Sequence, residues 1–245
     1  MPPFARTALH STRLVRSLAA LIDTPSHDSG HQFSRRLGTL IDLGDSFKLA
    51  SAQSGLKELV FKAGVVDPAH IRREFLSGRA AIIKGILQAC VPGETVSRIR
   101  FPEMASNTPE AEATAPDAYV AFYRAQQNEI GYAVLRLHTA IRADISGLSP
   151  GLQQLAALDS ALGTAMGNHL RGHFSAVPAL LTQHVVALRS DYLEQLDGES
   201  CHADAWPLQL GKLRADIQNL LLAEVEARLL PLQGLVEAIN DGMMD

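Results

Sequence analysis

The chain has 245 residues, of which 47% are hydrophobic and only 5% aromatic, and its formal net charge is −4. It is long enough to bury a hydrophobic core, and it contains no apolar run of about 18 residues, the length that a membrane-spanning helix needs. Its two cysteines are too few for a disulfide framework, so we expect reduced thiols and a cytoplasmic location.

Charge is divided unevenly along the chain. Residues 1–100 contain 14 Lys and Arg and 8 Asp and Glu, whereas residues 101–245 contain 8 Lys and Arg and 18 Asp and Glu. The two parts are therefore expected to attract each other, or the first part to meet an anionic partner. The basic residues are dispersed and not gathered in a run. We therefore favour the interpretation that they pair within the chain or are solvated.

Residues 1–90 are predicted to form a basic N-terminal helical part. Apolar residues from Leu9 to Ile22 recur at helical spacing, which favours a structural helix over a transit peptide. A second helix is predicted from Phe33 to Phe47, and the short apolar stretch after it fits either a helical turn or a strand.

Asp67-Pro68 is a typical helix start. Asp accepts hydrogen bonds from the unpaired amides of the first turn, and Pro at the first helical position costs no hydrogen bond, because an amide there would have no partner within the helix. This helix is predicted to end before Val91-Pro92. Its expected buried face consists of Ile71, Phe75, Ile82, Ile83, Ile86 and Leu87.

Residues 91–116 have the composition of a linker, with four prolines and little apolar bulk. Residues 117–245 are predicted to form an acidic C-terminal bundle. Its first helix is a long one from Pro116 to Ile145. Further helices are predicted to begin at Ser149-Pro150, Val177-Pro178 and Trp206-Pro207, and Pro231 is predicted to kink or break the last of them. The fold class predicted from these elements is all-α, an antiparallel bundle of long helices.

Two histidines one helical turn apart, His169 and His173, are weak candidates for metal ligands. A metal-dependent enzyme would need further ligands, and His138, His184, Cys201 and His202 could supply them only if the fold gathered them. The residue after His169 is Leu170, so the glutamate of a metalloprotease motif is missing.

Candidate interaction residues lie in the basic part of the chain. A nucleic acid or another anionic surface would need them to converge on one face. They are Arg35, Arg36, Arg72, Arg73, Arg79 and Lys84.

Familiar catalytic signatures are missing from the sequence, including phosphate-binding glycine loops, nucleophile elbows and paired cysteine motifs. No cofactor is expected. Long amphipathic helices without a chemical motif favour a non-enzymatic interaction or assembly protein with a protein partner or a second copy of itself.

The two ends of the chain resemble those of an uncharacterised family of proteobacterial proteins, a domain of unknown function. The similar stretches are Arg6 to Arg16, RTALHSTRLVR, and Arg228 to Ile239, RLLPLQGLVEAI. The resemblance covers nearly the whole chain and implies a bacterial cytosolic origin. Relatives in that family are encoded near envelope proteins of the motor-channel and peptidoglycan-anchoring type, so the resemblance also implies an accessory role in a larger assembly. It supplies no catalytic residues.

Overall fold

The computed structural model describes seven segments of the chain and five helices within them. The segments are residues 13–22, 50–51, 53–56, 59–93, 97–102, 115–196 and 205–241. The helices are α1 (Arg13–Ile22), α2 (Pro68–Ala89), α3 (Pro116–Ser146), α4 (Pro150–Leu196) and α5 (Ala205–Asp241). Residues 50, 51 and 53–55 are also helical, and no strand occurs in the described segments. The prediction of an all-α, multi-helix fold is therefore confirmed.

The ends of α2 follow from local chemistry, as predicted. The Asp67 side chain accepts a hydrogen bond from the Ala69 amide at 3.0 Å, and Pro68 occupies the first helical position. After the helix, Gly93 adopts a φ of +70°, a conformation that residues with a side chain rarely adopt. The short apolar stretch before α2 is irregular over residues 59–61, so no strand forms there.

The central helix is α3, which packs against α2, α4 and α5. Its 31 residues make it about 45 Å long. The predicted stripe is buried at Tyr119, Tyr123, Ile130, Leu137, Ile141 and Ile145, and Gln126 within it is buried too. This long helix is therefore confirmed to within one residue of its predicted end.

The prediction that a new helix begins at Val177-Pro178 is wrong, because α4 runs without interruption from Pro150 to Leu196. Proline has no amide hydrogen, so the carbonyl of Phe174, four residues earlier, loses its usual donor. Gln127 of α3 replaces that donor: its Nε2 donates to the Phe174 carbonyl oxygen at 3.0 Å. A contact from a neighbouring helix thus allows the proline to sit inside α4.

Helix α5 likewise continues through Pro231 to Asp241, so Pro231 does not break it. Its inner face carries much of the core, including Leu213, Ile217, Leu221 and Leu232. This last helix packs against each of the other four.

A single hydrophobic core joins α2 to the long helices. Ile71 and Phe75 of α2 belong to the same buried cluster as Ile141 of α3 and Leu220 of α5. Helix α2 therefore docks on α3 and α5, while α1 packs on α4 and α5. Arg13 of α1 forms an ion pair with Glu226 of α5 at 2.9 Å.

Part of the predicted linker lies on this core. The Phe101 amide donates to the Ala89 carbonyl at 2.9 Å, and the Phe101 ring is buried against Tyr119 and Phe122. The rest of the linker between residues 103 and 114 lies outside the described residues, as does the predicted helix from Phe33 to Phe47. The division into residues 1–90 and 117–245 stays a prediction.

The backbone before α2 crosses the end of α3 at two glycines. The Gly64 amide donates to the Gly147 carbonyl at 2.8 Å. A Cβ on Gly147 would lie only 3.0 Å from the Gly64 Cα atom, so the close approach depends on glycine at this position.

Candidate interaction surface

Helix α2 carries two apolar stripes, and only one of them faces the core. The core stripe contains Ile71, Phe75, Ile86 and Ala89. The second stripe, here called the outer stripe, consists of Leu76, Ala80, Ile83 and Leu87. At about 100° per residue, its centre lies about 130° around the helix from the core stripe.

The outer stripe faces solvent in the described structure. The exposed fraction is 59% for Leu76 and 39% for Leu87, Ala80 is exposed, and Ile83 is half-buried. The prediction that Leu87 is buried is therefore wrong, because Ile86 occupies the core-facing position beside it. The spacing of four, three and four residues is that of a helix face that packs on another helix.

Four of the six predicted interaction residues border this stripe. Arg72 and Arg79 lie along one edge, and Arg73 and Lys84 lie along the other. Arg73 contacts Asp67 at 3.8 Å, and no carboxylate of the described residues pairs with the other three cations. The other two predicted residues, Arg35 and Arg36, lie outside the described residues.

The predicted metal pair falls in the middle of α4. Residues 169 and 173 are helical there, but their side chains lie outside the described part of the structure. Cys201 and His202 lie outside it as well. Of the other predicted helpers, His184 contacts Asp216 of α5 at 3.2 Å, and His138 lies near Asp159 at 3.9 Å.

A buried polar network lies between α3, α4 and α5. The Glu224 carboxylate is fully buried and accepts hydrogen bonds from Tyr123 at 2.8 Å, Gln127 at 3.0 Å and Arg228 at 2.8 Å. The Arg228 guanidinium also stacks over the Phe174 ring, 4.1 Å from its centroid. Burial, followed by the Glu224 charge, raises the pKa of Tyr123. These groups satisfy one another and stabilise the packing of α3, α4 and α5.

Cys90, the described cysteine, is poorly suited to nucleophilic chemistry. Its thiol is buried, and burial raises its pKa to about 11, although the nearby Arg214 charge acts in the opposite direction. The thiolate, which is the reactive form, is therefore scarce at neutral pH.

Sequence reasoning missed the outer stripe of α2. The predicted buried face of this helix does not include Leu76 and Ala80, although their spacing to Ile83 and Leu87 is visible in the sequence. The signal in the sequence is the presence of two apolar stripes on one helix. A helix at the edge of a bundle needs only one stripe to pack on the core, so the second stripe is available for another contact.

None of the described helices is both long enough and apolar enough to cross a bilayer. Comparison with known proteins finds no curated protein and no solved structure that matches the chain. One family model does match, over residues 2–241, and its description is "Protein of unknown function (DUF3348)". Because this match covers nearly the full length, the chain belongs to the DUF3348 family.

Proposed function

We propose that the protein is a non-enzymatic interaction or assembly protein that acts in the cytoplasm, and that its contact surface is the outer stripe of α2 with the basic residues along its edges. The observation that carries the proposal is the exposed stripe itself. An apolar row on a folded protein is costly to leave in water and is typical of a surface that a partner covers.

The partner proposed is an acidic amphipathic helix of another protein. A partner helix can place its own apolar residues along Leu76, Ile83 and Leu87, because their spacing matches a helix-on-helix contact. Glutamates and aspartates on both sides of that partner would meet Arg72 and Arg79 on one edge, and Arg73 and Lys84 on the other. The apolar row would supply affinity, and the charges would supply selectivity and speed of association.

The test uses the full-length chain and a designed acidic peptide with leucines at helical spacing and flanking glutamates. We expect binding that weakens with added salt and that falls about tenfold or more in two variants, Leu76→Ser with Leu87→Ser and Arg73→Glu with Lys84→Glu. The matched control is Leu208→Ser with Leu230→Ser, which removes two exposed leucines from α5 and should leave the affinity unchanged.

Three results would contradict this partner. If the wild type and both α2 variants bind the peptide with equal affinity, the outer stripe is not the surface that binds the partner. A wild-type dimer in analytical ultracentrifugation that the Leu76→Ser, Leu87→Ser variant dissociates would make a second copy of the chain the occupant. Binding to vesicles of anionic lipid, with no binding to the peptide and with the same dependence on Arg73 and Lys84, would favour the anionic-surface alternative.

A further inference from the structure

A second feature, independent of the outer stripe, lies in an open groove between α2 and α3. One ligand atom from each of His70, Glu74 and Asp144 lies within 4.8 Å of the other two. His70 and Glu74 are one helical turn apart on α2, with 3.9 Å between His70 Nε2 and Glu74 Oε2. Asp144 reaches the same place from the last turn of α3.

The arrangement is held by the packing of the two helices. Gly78, which lines the groove, lets α2 approach α3 closely, since a Cβ at this position would lie 2.7 Å from Leu137 Cδ1. The contact between Gly64 and Gly147 fixes the end of α3 beside the start of α2. The three side chains are therefore brought together by the fold and not by sequence proximity alone.

The two carboxylates of this cluster lack a strong counterion in the described structure. The described contact of Glu74 is the distant one with His70, and no described cation pairs with Asp144. Arg73 also lines the groove, but it contacts Asp67 at the start of α2. Both carboxylates are half-buried, so solvent would screen their attraction to a bound cation only partly.

We propose that His70, Glu74 and Asp144 bind a divalent transition metal ion of the Zn²⁺ class that bridges α2 and α3. One imidazole and two carboxylates are ligand types that such ions accept. Ligand atoms around a tetrahedral zinc ion are about 3.3 Å apart, so side-chain rotations that bring these atoms up to about 1.5 Å closer together complete the site. Three protein ligands leave one position open toward the groove, where water or a small anion can bind.

The test measures Zn²⁺ binding to the full-length, untagged chain by calorimetry, together with the visible absorption of bound Co²⁺. We expect one ion per chain, and an affinity about tenfold or more weaker in His70→Ala and in Asp144→Asn. His184→Ala is the matched control, because it removes another histidine that contacts a carboxylate between two helices, and it should bind Zn²⁺ as the wild type does.

A variant with His169→Ala and His173→Ala separates this site from the pair on α4. We expect it to retain the ion at His70, Glu74 and Asp144. The proposal is overturned if the wild type takes up no Zn²⁺, if His70→Ala retains full affinity, or if binding is lost with the α4 pair instead. Circular dichroism of each variant distinguishes loss of the site from loss of the fold.

Discussion

At the scale of single residues, Glu224 shows how a charge is kept inside this bundle. The carboxylate has no exposed surface, and its donors come from α3 and from its own helix. A buried charge without donors would cost several kcal/mol, on the order of 3–5 when one partner of a pair is removed. Tyr123, Gln127 and Arg228 therefore stabilise the fold by supplying the donors that Glu224 needs.

His138 should make the free energy of unfolding depend on pH. It is half-buried between α3 and α4, near Arg142 and Asp159. Burial and the Arg142 charge lower its pKa below the usual 6.5, and the Asp159 charge acts in the opposite direction. The unfolded chain therefore binds a proton at a higher pH than the folded chain does, and stability falls as the pH drops below about 6.5.

We expect His138→Gln to reduce this loss, because glutamine does not titrate. The measurement is the urea midpoint of both proteins at about pH 7.5 and about pH 5.5. The difference between the two pH dependences measures the contribution of His138 together with its interactions with Arg142 and Asp159. An identical pH dependence in the variant would contradict the prediction.

At the scale of the helix, Pro178 and Gln127 act as a pair. Gln127→Leu should lower the free energy of unfolding by about 1–3 kcal/mol, because the Phe174 carbonyl and Glu224 each lose a donor. In a Pro178→Ala background, the new amide at position 178 can reach the Phe174 carbonyl, and the same substitution should cost less.

Urea unfolding of the wild type, the two single variants and the double variant measures this coupling. A coupling energy of about 0.5–1.5 kcal/mol corresponds to one net hydrogen bond. If the two substitutions are additive, the Gln127 amide does not replace the missing donor of Pro178.

This pair also explains where sequence reasoning succeeds and where it fails. The local sequence identifies Asp67-Pro68 and Ser149-Pro150 as helix starts, because a capping side chain and the amides that it accepts from are neighbours in sequence. The Asp67 carboxylate accepts from the Ala69 amide, and the Ser149 hydroxyl accepts from the Leu152 amide. Val177-Pro178 shares only the proline of that pattern, because Val has no side-chain group that can cap a helix, and the group that compensates for the missing amide is on another helix. Such a contact depends on the packing, which the local pattern does not contain.

The candidate site was predictable only in part, for a similar reason. The basic residues of α2 could be named from the sequence, and their convergence follows from a helix of known register. The cluster of His70, Glu74 and Asp144 could not be found, because Asp144 is far along the chain and reaches the cluster through the docking of α3 on α2.

At the scale of the whole molecule, the shared core determines how the protein unfolds. The buried residues of α2 belong to one cluster with those of α3 and α5, although the two parts differ strongly in charge. We expect heat or urea to unfold α2 together with the long helices in one transition. Far-ultraviolet circular dichroism and the fluorescence of Trp206, on α5, should report the same midpoint. A separate early transition that removes part of the helical signal would contradict this expectation.

The crossing of Gly64 over Gly147 has a consequence for the dynamics of the protein. The Gly64 amide lies in an irregular, exposed segment, so its hydrogen bond to the end of α3 is its main protection from exchange with solvent. Its deuterium exchange rate therefore reports how often the start of α2 separates from the end of α3. A ligand that joins these two helices should slow exchange at this one amide, even though it does not touch it.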